Sequence, residues 1–307
     1  MPLRSAAQRL TIRAPRLNSA NLKRLMSSNE LPAYAHREND FKHTQPPNPN
    51  WDLGQGIPND GFIAKEWNRD LEKGWKSWKL NELPVKETYQ LLTSAVVPRP
   101  IAFVASQSAG GVPNLAPMSY FNAVSANPPL LSISLTLSPR RPKNTRENIL
   151  NTRQFTVNII SDTFVEAANA CSVEAPAEID EWIVSGLTPE PSESILVPRV
   201  QESAVSFECE LYKHIDITAL DSDKPTNTLI LGLIKQVHVR KAVLSQTEDT
   251  VDAAKLRPVA RLGGNTYVRL GDTFELGRPS WRAWQDKVKK MHEEKKGSSS
   301  VDLKRQH

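Results

Sequence analysis

The residues best suited to chemistry lie in Ser138-Pro-Arg-Arg-Pro-Lys-Asn-Thr-Arg-Glu-Asn-Ile149. An apolar strand-like run ends there, cations cluster, and a helix is expected to begin near Asn144 or Thr145. Helix N-termini expose unpaired N–H groups and the positive end of the peptide dipole. With Arg140, Arg141, Lys143 and the Thr145 hydroxyl beside them, they suit a phosphate group. The same residues also fit an ordinary capped helix with solvated cations.

A second stretch, Asn114-Leu-Ala-Pro-Met-Ser-Tyr-Phe-Asn-Ala-Val-Ser-Ala-Asn-Pro-Pro129, sets small residues and prolines into a strand-like run. Small side chains let a flat ring approach the backbone, whose N–H and C=O groups can bond the ring edge. A twisted edge strand with a bulge accounts for it equally. Other engines are missing: the chain has no GxSxG elbow, GxxxxGK[ST] loop or HExxH helix, and GQGIPNDG lacks the spacing of a dinucleotide-binding loop. The six histidines do not pair at metal-ligand spacing. His238, in LGLIKQVHV, is a candidate contact for a redox partner or simply a strand histidine. Cys171 and Cys209 read as buried free thiols.

Short strands must position these groups. Ile101–Ser106 and Val112–Ala116 flank Gly110-Gly111 as a hairpin. Ser119–Ser125, Leu130–Leu137, Gln154–Ile160, Val205–Ile217 and Thr228–Val239 follow. LLSISLTL alternates apolar residues with Ser and Thr, as a strand with two unlike faces does. Helices are expected at 144–151 and 162–171, the latter with Asp162 as N-cap. This pattern indicates a mainly β barrel or sandwich, with Greek-key closure and a few peripheral helices.

The flanks differ from this core. Residues 1–28 hold Arg4, Arg9, Arg13, Arg16, Lys23 and Arg24 without an acid, whereas the whole chain of 307 residues carries a formal +5. The remainder is therefore near neutral, and no phosphate-backbone partner is expected. Basic, amphipathic and acid-poor, this segment has the composition of a mitochondrial transit peptide, giving a matrix location, with the cytoplasm as the alternative. Residues 29–83 are polar and carry Trp67, Trp75 and Trp78, expected on a helix over 63–82 that docks on the core or offers a partner surface. Residues 279–307 read as a charged tail helix that Trp281 and Trp284 could dock. No apolar window reaches the length of a membrane span.

Val97-Pro-Arg-Pro-Ile-Ala-Phe-Val-Ala-Ser106, the Asn114–Phe121 stretch, Asn127-Pro-Pro129, Lys143-Asn-Thr145 with Asn148-Ile149, Gln154-Phe-Thr-Val-Asn158 and Arg261-Leu-Gly-Gly-Asn-Thr-Tyr267 occur in this order. Together they resemble the flavin-reductase-like family of FMN-binding split β-barrels, in its flavoprotein oxygenase sub-branch, over about residues 84–278. The resemblance implies FMN held non-covalently at a homodimer interface, NADH or NADPH as electron donor, and a small-molecule electron acceptor. Carried over, Ala116, Pro117, Met118 and Ser119 would face the flavin ring, chiefly through backbone. Arg99, Pro100 and Ile101 would lie near the ring or ribityl chain, and Ser138, Lys143 and Thr145 would hold the phosphate. The family often has Lys-Asp-Thr where this chain has Lys143-Asn144-Thr145. Asn still caps a helix, and losing a negative charge there favours an anion. Tyr267 is expected in the core or near the site. A flavin-binding sensor or assembly module without fast turnover is the alternative function.

Overall fold

A computed structural model describes residues 33–34, 41–58, 61–137, 144–173, 175–176 and 178–304, with side chains to residue 295. The chain divides into two units, 1–38 and 39–307, and everything below belongs to the second.

That unit is built on seven antiparallel strands. In chain order, with β1 the short Arg99–Pro100, they are β2 (Ala102–Gln107), β3 (Pro113–Met118), β4 (Phe121–Ala126), β5 (Pro129–Thr136), β6 (Gln154–Ile159), β7 (Val205–Thr218) and β8 (Pro225–Val239). Their order in the sheet is β3-β2-β6-β7-β8-β5-β4. The edge strands β3 and β4 are thus consecutive in the chain, joined only by Ser119 and Tyr120. Laid flat, seven strands would hold the edges about 29 Å apart at ~4.8 Å per strand. The link spans at most about 11 Å, three Cα–Cα steps of ~3.8 Å. The sheet must therefore curl until its edges approach. Its ladder nonetheless does not close, since among the described residues β3 and β4 do not pair. β4 carries a register shift between Ala123 and Ser125, a bulge on an edge strand.

The expected hairpin is β2 with β3, Ser106 facing Asn114 across it. β2 reads as a continuous apolar run because both its faces are buried: Ala102 and Val104 join the core inside the curl with Ile133, Phe155, Val157 and Ile230. Phe103 and Ala105 join a second core outside it, with Phe164, Ala168 and Trp182. Fully burying each such large side chain contributes about 1.5–3 kcal/mol. On β5, Leu131, Ile133 and Leu135 point into the core while Ser132, Ser134 and Thr136 take the other face, the two-faced alternation its sequence implies.

A second, three-stranded sheet places β1 beside β9 (Val259–Arg261), which pairs with β10 (Tyr267–Arg269). Four helices pack around the sheets: α2 (Val85–Ala95), α3 (Asn144–Thr152), α4 (Val165–Ala170) and α5 (Glu181–Ser185), after α1 (Phe62–Leu71) in the N-terminal flank. A long α6 (Trp281–Lys304) ends the described chain.

Three helix expectations are corrected. The helix drawn over 63–82 ends at Leu71, because Gly74 sits at φ +70°, a left-handed stop after the C-cap. Trp75 is then 91% exposed and Trp67 also faces solvent, so neither docks on the core. Asp162 does not cap its helix: it pairs with Arg257 at 2.8 Å, and a 3-10 turn precedes α4. The flanks instead meet one another. His43–Thr44 pairs in parallel with Thr273–Phe274, and Lys287 of α6 binds Asp52. No helix among the described residues is long and apolar enough to cross a membrane.

Candidate flavin site

A cavity of about 220 Å³ opens where the curled sheet fails to close. Its walls are Pro117 and Met118 from the end of β3, the linker residues Ser119 and Tyr120, and Ser134 and Thr136 from β5. Ile101, Tyr89 of α2, Asn169 of α4 and Ser172 just after it, and Arg261 and Tyr267 of the second sheet complete it. Pro117, Met118 and Ser119, expected at the ring, therefore come together with Ile101, expected near the ring or ribityl chain.

Arg99 stands behind this wall. Its buried guanidinium donates to the carbonyls of Thr93, Val96 (2.9 Å) and Leu262 (3.0 Å), and its Nε to Ser119 Oγ (3.4 Å). Thr93 O and Val96 O lie at the C-terminus of α2, whose last carbonyls have no partner within the helix. One side chain thus caps α2, holds the Arg261–Tyr267 segment at Leu262 and orients Ser119. Because Ser119 Oγ accepts from Arg99, its own O–H is left to donate into the cavity. Close packing explains the first glycine of that segment, since a Cβ on Gly263 would press on Ser94, and backbone conformation the second, Gly264 having φ +60°.

The hydroxyls across the cavity are prepared in the same way. Asn227 Nδ2 donates to Ser134 Oγ (3.3 Å) and Thr136 Oγ1 (3.2 Å), so each keeps a proton to donate. Burial, then the neighbouring Tyr89, pushes the Tyr120 phenol above its ordinary pKa despite the opposing pull of Arg99, and Tyr120 stays protonated. Tyr267 lies in the cavity wall rather than deep in the core. Its hydroxyl donates to Asn169 Oδ1 at 2.7 Å, and the Arg261 guanidinium stacks 4.4 Å from its ring centre.

The other expected residues lie elsewhere. Ala116 packs against the inner core and Pro100 is exposed on β1. Thr145, in the first turn of α3, is buried; its hydroxyl accepts from Asn114 Nδ2 (3.0 Å), which also donates to Ser106 Oγ (3.2 Å). From Asn114 to Met118, β3 rises about 13 Å at ~3.3 Å per residue. Thr145 thus marks the far end of the strand whose near end lines the cavity. Ser138 and Lys143 lie outside the described residues.

His238 does not reach this cavity. It lines another, of about 570 Å³, with Arg199 and Arg240. Its Nε2 lies 2.6 Å from Glu208 Oε1, and Glu208 also accepts from the backbone N–H groups of Glu193 (2.8 Å) and Ser194 (2.6 Å). The pairing of β8 with β7 explains the separation: His238 faces Ser206, at the opposite end of the ladder from Asn227 beside Thr136. Among the described residues, no three His, Cys, Asp or Glu side chains gather as a metal site would require.

The donor set suits a planar heterocycle: a wall of Pro and Met, flanking tyrosines, and several hydroxyls with protons to give. Known proteins are similar to this chain over about two thirds of its length. An uncharacterized protein of Halalkalibacterium halodurans is 40% identical over 205 residues, 66% of this chain and 97% of that one. Among solved structures, nitrilotriacetate monooxygenase component B from Bacillus cereus is 37% identical, with TM-score 0.63, covering 66% of this chain and 99% of the other. The 2-nitrobenzoate 2-nitroreductase of Pseudomonas fluorescens is 30% identical, with TM-score 0.60, covering 67% and 98%. These relatives correct one expectation. Similar proteins come from Bacillus subtilis, Halalkalibacterium halodurans, Aquifex aeolicus and Deinococcus radiodurans, bacteria without mitochondria, which overturns the mitochondrial address read from residues 1–28. Those residues lie outside the described part of the chain. Residues 94–253, more than half of the chain, match the family model for a flavin reductase like domain, and the chain belongs to that family.

Proposed function

We propose that this chain is an FMN-dependent oxidoreductase of the split-barrel type, taking electrons from NADH or NADPH and passing them to a small acceptor. One observation carries the reading: Ile101, leading into β2, and the consecutive Pro117, Met118 and Ser119 at the end of its partner β3 line a single cavity at the gap between the sheet's edges. Bound there, a flavin supplies the hydride and electron chemistry, and the protein supplies position and electrostatics.

The chain's own residues have distinct tasks in this reading. Met118 and Pro117 give the ring a dry wall. Ser119, fixed by Arg99, donates a hydrogen bond, as do Ser134 and Thr136. Thr145, which accepts from Asn114, keeps its O–H for a phosphate oxygen, with Lys143 and Ser138 as further donors. Homodimerisation is what the resemblance implies, and exposed apolar groups support it: Val124 on the edge strand, Ile215 and Ile217 near the end of β7, and Leu220 just beyond it.

The test is the visible spectrum of the purified protein. A yellow protein whose flavin bands bleach anaerobically on adding NADH or NADPH, and whose extracted cofactor has the mass of FMN, supports the proposal. A colourless protein that stays so after incubation with FMN refutes it. Bound flavin without NAD(P)H consumption would favour the second reading, a flavin-binding module, for which the solvent-facing Trp67 and Trp75 offer a partner surface.

A further inference from the structure

We infer that the cavity holds a planar carboxylate, with Arg261 as the group that recognises it. This rests on the flavin site proposed above and names the class of small molecule that shares it.

Among the described residues lining the cavity, Arg261 carries the one formal charge, and none is acidic. The partners of its guanidinium are the Gly264 carbonyl (2.6 Å) and the face of Tyr267, neither of which is charged. A guanidinium has five N–H donors, so most remain uncommitted. Arg99, its neighbour across the β1–β9 pair, differs in this respect. Arg99 is buried and spends its donors on three carbonyls and a hydroxyl, as a structural arginine does. Arg261 is stacked in place and spends one. An arginine held flat against an aromatic ring loses little freedom on binding and presents a fork matched to a carboxylate.

The surroundings favour a flat anion. Among the described lining residues the one charged group is a cation, so the cavity favours an anion. Tyr89, Tyr120 and Tyr267 offer aromatic faces, and Ser172 and Asn169 add neutral polar groups. Tyr267 is tied through its hydroxyl to Asn169, so the stack under Arg261 is anchored at its far end.

The experiment compares sodium benzoate with benzamide, equal in shape and different in charge. Binding to the flavin-loaded protein is read from the perturbed flavin spectrum and, independently of flavin, from tryptophan fluorescence. Benzoate should bind about ten- to hundredfold more tightly, the span of a charge-assisted hydrogen bond, and should weaken as salt rises. Arg261→Gln should abolish that preference with flavin still bound, and Arg261→Lys should restore part of it. Equal affinity for the two probes, or a preference that survives in Arg261→Gln, overturns the inference. If Arg261→Gln sheds flavin while benzoate still binds by fluorescence, the arginine serves the cofactor, and the inference falls while the flavin site stands. In the opposite case, a protein that refuses flavin yet prefers benzoate by fluorescence, the anion site stands and the flavin reading falls.

Discussion

Replacing Arg99 with methionine tests whether one side chain ties the fold to the site. Methionine keeps much of the apolar stem and removes every donor. The cost depends on what happens to the acceptors left behind. Thr93 O lies in the interior, beside a side chain only 4% exposed, so losing its donor costs about 1–3 kcal/mol. Val96 is largely exposed, and water can replace the arginine there. Leu262 is half-buried. Each of these two carbonyls should cost about 0.5–1 kcal/mol. The sum, about 2–5 kcal/mol, is a large share of the ~5–15 kcal/mol by which a domain is ordinarily stable. It should lower Tm by roughly 4–20 °C at ~2–4 °C per kcal/mol for a domain of this size. Arg99→Lys keeps the charge but cannot span acceptors on α2 and at Leu262, so about half the loss should remain. Urea unfolding followed by tryptophan fluorescence gives both numbers, with the slope against denaturant unchanged. A midpoint shift worth less than about 0.5 kcal/mol in the methionine variant would refute the reasoning. So would a lysine variant as unstable as the methionine one.

Other perturbations probe separate claims. Lys143→Ala should weaken FMN binding about ten- to hundredfold through loss of a charge-assisted phosphate contact, read by quenching of flavin fluorescence; unchanged affinity would remove Lys143 from the site. Gly232→Ala on β8 would press a methyl into the Phe155 ring and Leu131, costing about 1–3 kcal/mol in urea unfolding, and a neutral outcome would mean the inner core is looser than these contacts imply. Burial pushes the Cys171 thiol up to about 11, and burial with the Glu208 charge pushes Cys209 higher still. At about pH 8, iodoacetamide should therefore label both in urea and neither in the folded protein, as mass spectrometry would show. Burial raises the Glu208 carboxyl, but the Glu193 and Ser194 N–H groups and His238 outweigh it, leaving its pKa below the ordinary value. A depressed carboxylate contributes stability above its unfolded pKa of about 4.3 and loses it as pH falls through the folded value. Glu208→Gln should accordingly flatten the loss of stability on acidification below roughly pH 5; an acid limb as steep as the parent's would count against it.

Strands were legible where burial is periodic. LLSISLTL declares a core face and a polar face, and both exist; the long runs before Ile217 and Val239 become β7 and β8. The helices depended more on context. The tryptophans over 63–82 suggested one docking face, but Gly74 ended the helix first. Asp162 had the chemistry of a cap and found a stronger partner in Arg257. The site was legible in part. Local sequence brought out Pro117, Met118 and Ser119, whereas Tyr89, Asn169, Ser172 and Arg261 come from three segments whose convergence is a tertiary fact. The glycines and Tyr267 that follow Arg261 were the available signal for it. Arg99 resembled a ligand contact in the sequence and is committed to carbonyls; His238 looked available and is held by Glu208 at the other end of the ladder.

Why the sheet stays open at β3 follows from three alternate residues. Positions 113, 115 and 117 share one side of the strand, because backbone groups alternate in direction along it. Leu115 N donates to the buried carboxylate of Glu181 (3.2 Å), outside the ladder, so that side is the outward edge. At the other two positions the residues are Pro113 and Pro117, which have no N–H to give. Every outward donor of β3 is therefore either missing or taken, and β4 cannot zip onto it although Ser119 and Tyr120 bring it within reach. Burial raises the pKa of Glu181, with Asp180 adding to the effect and the Leu115 N–H opposing it, so the carboxylate has given up solvation to occupy this edge. Edge strands ordinarily need such protection against pairing with other chains. Here the same protection keeps the curled sheet from sealing, and the unsealed seam is where Pro117, Met118 and Ser119 line a cavity.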